Sequence, residues 1–428
     1  MPSGKSLDFP TLSLYEAGAL MKINFLLAAF AALFSPVLDP LHASAEIVAA
    51  GELPADARDQ FGDTVGGIGS GVIYDATTDT LLCIPDRGAG DGTIPFRPRY
   101  IVLKATKSGE KLDLKVVESI LFRDEEGREM TGLIPDDPEA TTPRMKDGRT
   151  CIDPEAIAIA PDGTLYVTNE YGPDLYQFQR DGKLIRRIAM PEWYRPKTAA
   201  DKIDFTAEAQ LATGRNINQG AEGMALMPDG KTVALAFQSG LMQDGGHASP
   251  LTRILLLDLQ SGEPVEEYYY PIATHLPGTD TPLKPDDLSV NDLIALDAHT
   301  FLILERDRFG RTGTKTPTPA AFKAVWLVDT SKATNLLKKS EGTPTPVTKT
   351  LLFNLPALVK DPGQLAAKWE GMALLAPVKD GKYTLMMTAD NDFLTPEVHQ
   401  DGKVYPFPRA EDAVPTQFFE ISGELPQS

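Results

Sequence analysis

Five clusters of acidic, amide and basic side chains recur along the chain, of the types that ligate hard cations or move protons. Glu155 stands one short segment before Asn169 and Glu170, and Glu222 stands likewise before Gln238 and Ser239. Asp292 precedes Glu305, Arg306 and Asp307; Glu370 precedes Asp390, Asn391 and Asp392; and Ser70 precedes Asp86 and Arg87. Oxygen donors of this kind suit calcium, which takes roughly six to eight of them, with magnesium as second choice. The candidate metal ligands are Glu155, Glu222, Asp292, Glu370, Asn169, Glu170, Glu305, Asp390, Asn391 and Asp86. Zinc fits poorly, because its His and Cys ligands are scarce: two cysteines, and beyond residue 45 only His247, His275, His299 and His399.

Three further residues are candidates for catalysis. Arg87 and Arg306 each follow an acidic residue, in Asp86-Arg87 and Glu305-Arg306, and an arginine fork can hold phosphate or carboxylate bidentately. An ion pair with the neighbouring carboxylates is the structural alternative. His247, in the loop QDGGHASP, is a candidate general acid, or else a surface histidine without a role. No Gly-x-Ser-x-Gly elbow, phosphate-binding loop, zinc-protease helix or dinucleotide fingerprint occurs.

The elements that must position these groups repeat as well. The five segments read GGIGSGVIYDATTDTLLCIPDRG (66–88), DPEAIAIAPDGTLYVTNEYG (153–172), QGAEGMALMPDGKTVALAFQSG (219–240), VNDLIALDAHTFLILERDRFG (290–310) and KWEGMALLAPVKDGKYTLMMTADNDF (368–393). Each is an apolar run, a turn and a second apolar run, which is the pattern of a β-hairpin. Residues 175–179, 254–259, 325–328 and 418–421 supply third strands, and 184–188 and 265–270 fourth strands. Four strands per unit describe an all-β protein, a β-propeller of five or six blades built from four-stranded antiparallel sheets. Residues 46–53 would close the ring beside 416–421, and a degenerate sixth blade would fall within 191–218 or 271–289. A pair of β-sandwiches or an irregular all-β chain is the alternative. Because the start of a hairpin's first strand lies beside the end of its second, every polar cluster should fall on one mouth of the ring.

Composition narrows the function. The chain has 428 residues and a formal charge of −19, a field that repels nucleic-acid backbones and attracts cations. Its 35 glycines and 35 prolines fit many short strands and turns. Residues 23–34 form an apolar run too short to span a bilayer, preceded by Lys22 and followed by Ala43-Ser44-Ala45, a small-x-small cleavage pattern. Residues 1–45 therefore read as a signal peptide, with 1–20 an upstream extension if translation starts at Met21, and 46–428 as the mature domain. The expected location is the periplasm or the exterior, as a monomer with no membrane span. Cys83 and Cys151 would share an oxidising compartment, where they either pair or remain two buried thiols.

The segments DPEAIAIAPDGTLYVTNEYGP, AEGMALMPDGKTVALAFQ, VNDLIALDAHTFLILERD, EGMALL…LMMTADNDF and GGIGSGVIYDATTDTLLCIPDRG resemble the phytase-like family, described as esterase-like activity of phytase, over about residues 60–422. The resemblance implies an exported bacterial β-propeller with esterase or phosphoesterase activity. Positions that match its recurring pattern are Asp86, Arg87, Glu155, Asn169, Glu170, Glu222, Asp292, Glu305, Arg306, Glu370, Asp390 and Asn391. Gln238-Ser239 breaks the charged pattern in the third copy. The expected function is a calcium-dependent hydrolase of a small anionic ester, a phosphomonoester by preference. A non-catalytic binding module with structural calcium and a sugar-lactone hydrolase are the alternatives.

Overall fold

Alternating apolar runs punctuated by residues that tolerate left-handed backbone give this chain its strands and corners. At Asp380-Gly381 both residues are left-handed, with φ of 53° and 74°, the geometry that matches a hairpin turn to the twist of its strands. The computed structural model describes residues 45–206, 210–339, 341–407 and 411–426. The expected signal peptide, apart from Ala45, lies outside the described residues.

The strands form antiparallel groups of four. The first comprises Gly71–Asp75, Thr80–Ile84, Arg99–Ser108 and Lys111–Leu121, and the second Ile157–Ile159, Leu165–Asn169, Asp174–Phe178 and Leu184–Ile188. The third comprises Ala221–Leu226, Thr232–Phe237, Leu251–Asp258 and Pro264–Pro271, and the fourth Leu288–Ala295, Thr300–Asp307, Lys323–Asp329 and Thr348–Asn354. The last group takes Lys368–Leu374, Lys382–Asp390 and Thr416–Glu424 from the C-terminal end and Ala45–Leu53 from the N-terminal end. That closing pairing runs antiparallel from Ala45 opposite Gly423 to Leu53 opposite Thr416, as expected. A single parallel pairing, Ala50 with Lys111, joins it to the first sheet.

The first strands of the groups touch one another in cyclic order, the last returning to the first. This closed ring is a β-propeller arrangement, and it excludes the sandwich reading. The inner strands approach so closely that a Cβ on Gly71 would lie 2.6 Å from the Glu155 carbonyl oxygen, and one on Gly223 would lie 2.7 Å from the Asp292 Cα. Glycine at these positions lets backbones meet where a side chain would hold them apart. Neither segment considered for a further blade holds a four-stranded sheet among the described residues. Residues 191–218 carry a short 3-10 turn and a ribbon pairing Lys197–Thr198 with Leu211–Thr213, and 271–289 carry the 3-10 turn Pro285–Asp287.

The core lies between neighbouring sheets. Leu302, Leu304 and Val325 of the fourth sheet pack against Trp369, Leu385 and Met387 of the last, all of them buried. Burial of this apolar surface fixes the sheets face to face and so fixes the rim of the ring. Cys83 and Cys151 are both buried and unpaired, so the open question of a disulfide resolves toward two buried thiols.

Candidate functional site

In three of the inner strands the pairing register skips one residue, and the residues skipped are Glu222, Asn291 and Glu370. A β-bulge of this kind leaves a residue out of the ladder and re-aims its side chain. Glu222 and Glu370 thereby reach a cavity of about 240 Å³ on one mouth of the ring. The second sheet adds Glu155 and Glu170, the first adds Ser70, Asp86 and Arg87, and the end of the last sheet's second strand adds Asp390. Arg306 enters from the fourth sheet, and His247, half-buried in the 3-10 turn Gly246–Ala248, closes part of the rim. Nine of the thirteen residues singled out from the sequence therefore line one cavity.

The other four do not line it. Asp292 sits one residue beyond the bulge, and its two carboxylate oxygens accept hydrogen bonds from the backbone N–H of Leu293 (2.8 Å) and Met372 (2.6 Å). It ties the fourth inner strand to the last one. The residue equivalent to Glu222 and Glu370 is Asn291, whose Nδ2 donates to Glu370 Oε1 at 3.4 Å. Glu305 precedes Arg306, and strand alternation turns it to the opposite face. There it accepts from Lys349 and the Tyr270 hydroxyl, and from the Ala273 N–H at 3.0 Å. Asn169 and Asn391 are fully buried and secure backbone. Asn169 Oδ1 accepts from Asp153 and Tyr171 N–H, and Asn391 Oδ1 from Gly67 and Phe393 N–H.

The structure also brings in charged residues that the repeat pattern did not single out. Asp153, fully buried, holds Arg87 twice, accepting from its backbone N–H at 2.9 Å and its guanidinium at 2.8 Å. Lys368 lies beside Asp392 (2.8 Å) and Asp390 (3.6 Å), and Arg308 pairs with Asp287 at 3.0 Å. Asp153 opens the second repeat and Lys368 the last, so their position at the head of an inner strand was the available signal.

Electrostatically the mouth is a crowded set of acids. Burial, then the charges of Glu222, Asp153, Glu170 and Asp86, push the Glu155 carboxyl well above its ordinary range. Burial and the neighbouring Glu170 and Glu370 do the same to Glu222, against the pull of Arg306 and Lys368. Burial and Asp153 raise Glu170 to about 7, although Arg87, Arg215 and the Gly220 N–H favour its charged form. Burial raises Asp390 to about 7 against the pull of Lys368. Two triads bring their oxygens within 4.8 Å of one another: Asp153, Glu155 and Glu170, and Asp86, Asp390 and Asp392. Among the described residues, Glu222 Oε2 and Asp390 Oδ2 are buried without a hydrogen-bond partner. An all-oxygen, acidic donor set with unpaired buried oxygens fits a hard divalent cation. The basic groups complete the picture: Arg306 donates to Glu370, and the Nε–H groups of both Arg87 and Arg306 are buried without a partner among the described residues.

A ring of antiparallel sheets with an acidic, arginine-bearing mouth places the chain in the class of β-propellers with a polar site on one face. The chain belongs to the phytase-like family, described as esterase-like activity of phytase, which matches residues 63–393. It is similar to an uncharacterized secreted protein of Arthroderma benhamiae, 29% identical over 83% of this chain and 87% of that one. Among solved structures it is similar to the β-propeller domain of Myceliophteria thermophila Cps50 (Swd1), at 11% identity and a TM-score of 0.33, covering 83% of this chain and 87% of that one. Among the described residues no helix is long and apolar enough to cross a membrane.

Proposed function

We propose that the protein is an exported, calcium-dependent hydrolase of small anionic esters, phosphomonoesters by preference, acting at the mouth of the ring. One observation carries this reading: carboxylates from four sheets surround a cavity also lined by Arg87 and Arg306, each with a buried Nε–H that lacks a partner among the described residues. Export agrees with the secreted relative and with the leader expected to end at Ala45.

Asp153, Glu155 and Glu170, with Glu222 beside them, would hold the cation. When bound, a divalent cation supplies Lewis-acid polarisation of the ester and a more acidic water. The protein's own groups account for selection and proton transfer. The free Nε–H groups donate to the anionic oxygens of the ester, where charge-assisted bonds are about twice as strong as neutral ones. Asp153 holds Arg87 in place from behind, as Glu370 holds Arg306. His247, which lines the cavity, would protonate the departing alkoxide.

The test is turnover of p-nitrophenyl phosphate, bis-p-nitrophenyl phosphate, acyl esters and lactones, with calcium and with chelator. Phosphomonoester hydrolysis that is lost with chelator, and lost in Glu155→Gln with folding intact, supports the reading. Arg87→Lys keeps a charge beside Asp153 but loses the planar fork, and should lower kcat by about 10²-fold or more. No turnover on any of the four classes, with melting that still depends on calcium, would replace it with a binding module.

A further inference from the structure

The third repeat departs from the others where its second strand reaches the mouth. There the chain carries Gln238-Ser239 in place of a charged pair, and Gln238 lines the cavity. Gln238 is 9% exposed; its backbone N–H donates to the Gly220 carbonyl at 2.9 Å, and its carbonyl accepts from the Val290 N–H at 3.0 Å. Its side-chain amide makes no hydrogen bond among the described residues, so the cavity is offered both a donor and an acceptor. Two more amides, Asn218 and Gln219, line the cavity from the segment just before the third inner strand. Gln219 Oε1 accepts from the Ser239 hydroxyl at 2.6 Å and from Asn216 Nδ2 at 2.8 Å. Those two bonds fix which way the amide faces and leave Nε2 as an unused donor among the described residues. Asn218 has a left-handed backbone, φ 52°, and its amide is likewise unbonded among the described residues. This neutral edge abuts the charged one: Gly220, whose carbonyl holds Gln238, donates its N–H to Glu170 Oε1 at 2.7 Å.

We propose that Gln238, with Gln219 and Asn218, forms a subsite for neutral hydroxyl groups on the alcohol half of the ester, so that the substrate is the phosphomonoester of a sugar or other polyol. The chemistry of the groups makes the selection. A carboxamide donates and accepts at once, as a hydroxyl does, so the two can pair in either direction. It carries no charge, so a second anionic group would be held better by an arginine fork than by this edge. A purely apolar alcohol would strip water from the amides and return no hydrogen bond, which is how a polar pocket rejects an analogue that lacks its hydroxyls. Because Gln238 and Glu170 meet at Gly220, the alcohol half of an ester held by the cation comes within reach of the amides. The inference deepens the reading of the mouth as an ester hydrolase and rests on it.

The experiment compares kcat/KM for glycerol phosphate and n-propyl phosphate, primary alkyl esters with the same carbon skeleton, one with free hydroxyls and one without, in the calcium-loaded mature chain. Wild type should prefer glycerol phosphate by about tenfold or more, and Gln238→Leu should abolish most of that preference. The Gln238 side chain bonds nothing among the described residues, so this replacement removes no hydrogen bond from the fold described here. Asn218→Gly keeps the left-handed backbone while removing the amide, and should lower the preference by about threefold. Equal rates on the two esters in wild type, or a preference that neither replacement changes, overturns the subsite and leaves the hydrolase reading standing. Equal losses on both esters would assign the amides to the phosphoryl group, and weaker calcium binding by Gln238→Leu in calorimetric titration would assign them to the cation; either result overturns the hydroxyl role. No turnover of either ester by wild type sinks the hydrolase reading, and the subsite with it.

Discussion

Replacing Glu222 by glutamine should move stability in opposite directions with and without calcium. The side chain is 4% exposed, and Oε2 is buried with no hydrogen bond among the described residues. Glu170 and Glu370 repel its charge. A buried acceptor left unpaired costs about 1–3 kcal/mol, and more when it is charged. The isosteric amide removes the charge and can donate to the neighbouring carboxylates. In chelator the variant should therefore gain about 1–2 kcal/mol, which raises Tm by a few degrees in a chain of this size. Calcium reverses the comparison. At a hundredfold excess over Kd, binding adds about 2.7 kcal/mol to wild type, and a variant that binds a hundredfold more weakly gains about 0.4 kcal/mol, a difference of about 2.3 kcal/mol that exceeds its advantage in chelator. The assay is thermal melting of both proteins in chelator and in calcium, with urea unfolding to convert Tm shifts into free energies. A variant that melts below wild type in chelator, or one with an undiminished calcium increment, would refute the reasoning.

Other expected outcomes concern the scaffold. Asn169→Ala strips the acceptor from two backbone N–H groups and should cost about 2–3 kcal/mol in urea unfolding, with calcium stoichiometry unchanged. Gly223→Ala places a methyl 2.7 Å from the Asp292 backbone and should destabilise by about 1–3 kcal/mol through overpacking. Burial pushes Asp63 upward, but hydrogen bonds from Arg97 and Arg99 outweigh it and hold its carboxyl below the ordinary 3.8. Because the folded value is depressed, this contribution is fully present above pH 3.8 and disappears as pH falls through the lowered value. The stability gap between wild type and Asp63→Asn should therefore be full at pH 7 and shrink below pH 4, as read by urea unfolding at each pH.

The strand plan was legible because its signals are local. Turns such as Pro228-Asp229-Gly230 and the runs between them specify hairpins without reference to the rest of the chain. The strand read at 184–188 is found as Leu184–Ile188, and that at 265–270 as Pro264–Pro271. Antiparallel geometry then carries the polar ends to one mouth, which is why nine of the thirteen selected residues meet there. The misplacements have a common cause, which is register. Matching Asp292 to Glu222 and Glu370 by charge shifts the fourth inner strand by one residue. Matching the apolar positions instead, Leu293 with Met224 and Met372, places Asn291 at the bulge. In the adjoining strand, Glu305 and Arg306 were read together, although consecutive residues on a strand face opposite ways. Arg306 reaches Glu370, while Glu305 turns to Lys349 and Tyr270. Asn169 and Asn391 carry the right atoms for a ligand, but their oxygens satisfy backbone N–H groups that only the folded chain buries. Asp153 was hidden for the opposite reason: its partner Arg87 lies 66 residues away, and no local pattern records that contact.

The central claim is that side chains from separate sheets meet at one opening and hold a divalent cation. Long-wavelength diffraction from crystals grown with calcium tests it most directly. An anomalous peak within roughly 2.3–2.6 Å of carboxylate oxygens from Asp153, Glu155 and Glu170 of the second sheet and from Glu222 of the third is the predicted result. An ordered mouth with those side chains in place and no anomalous density at saturating calcium would contradict it.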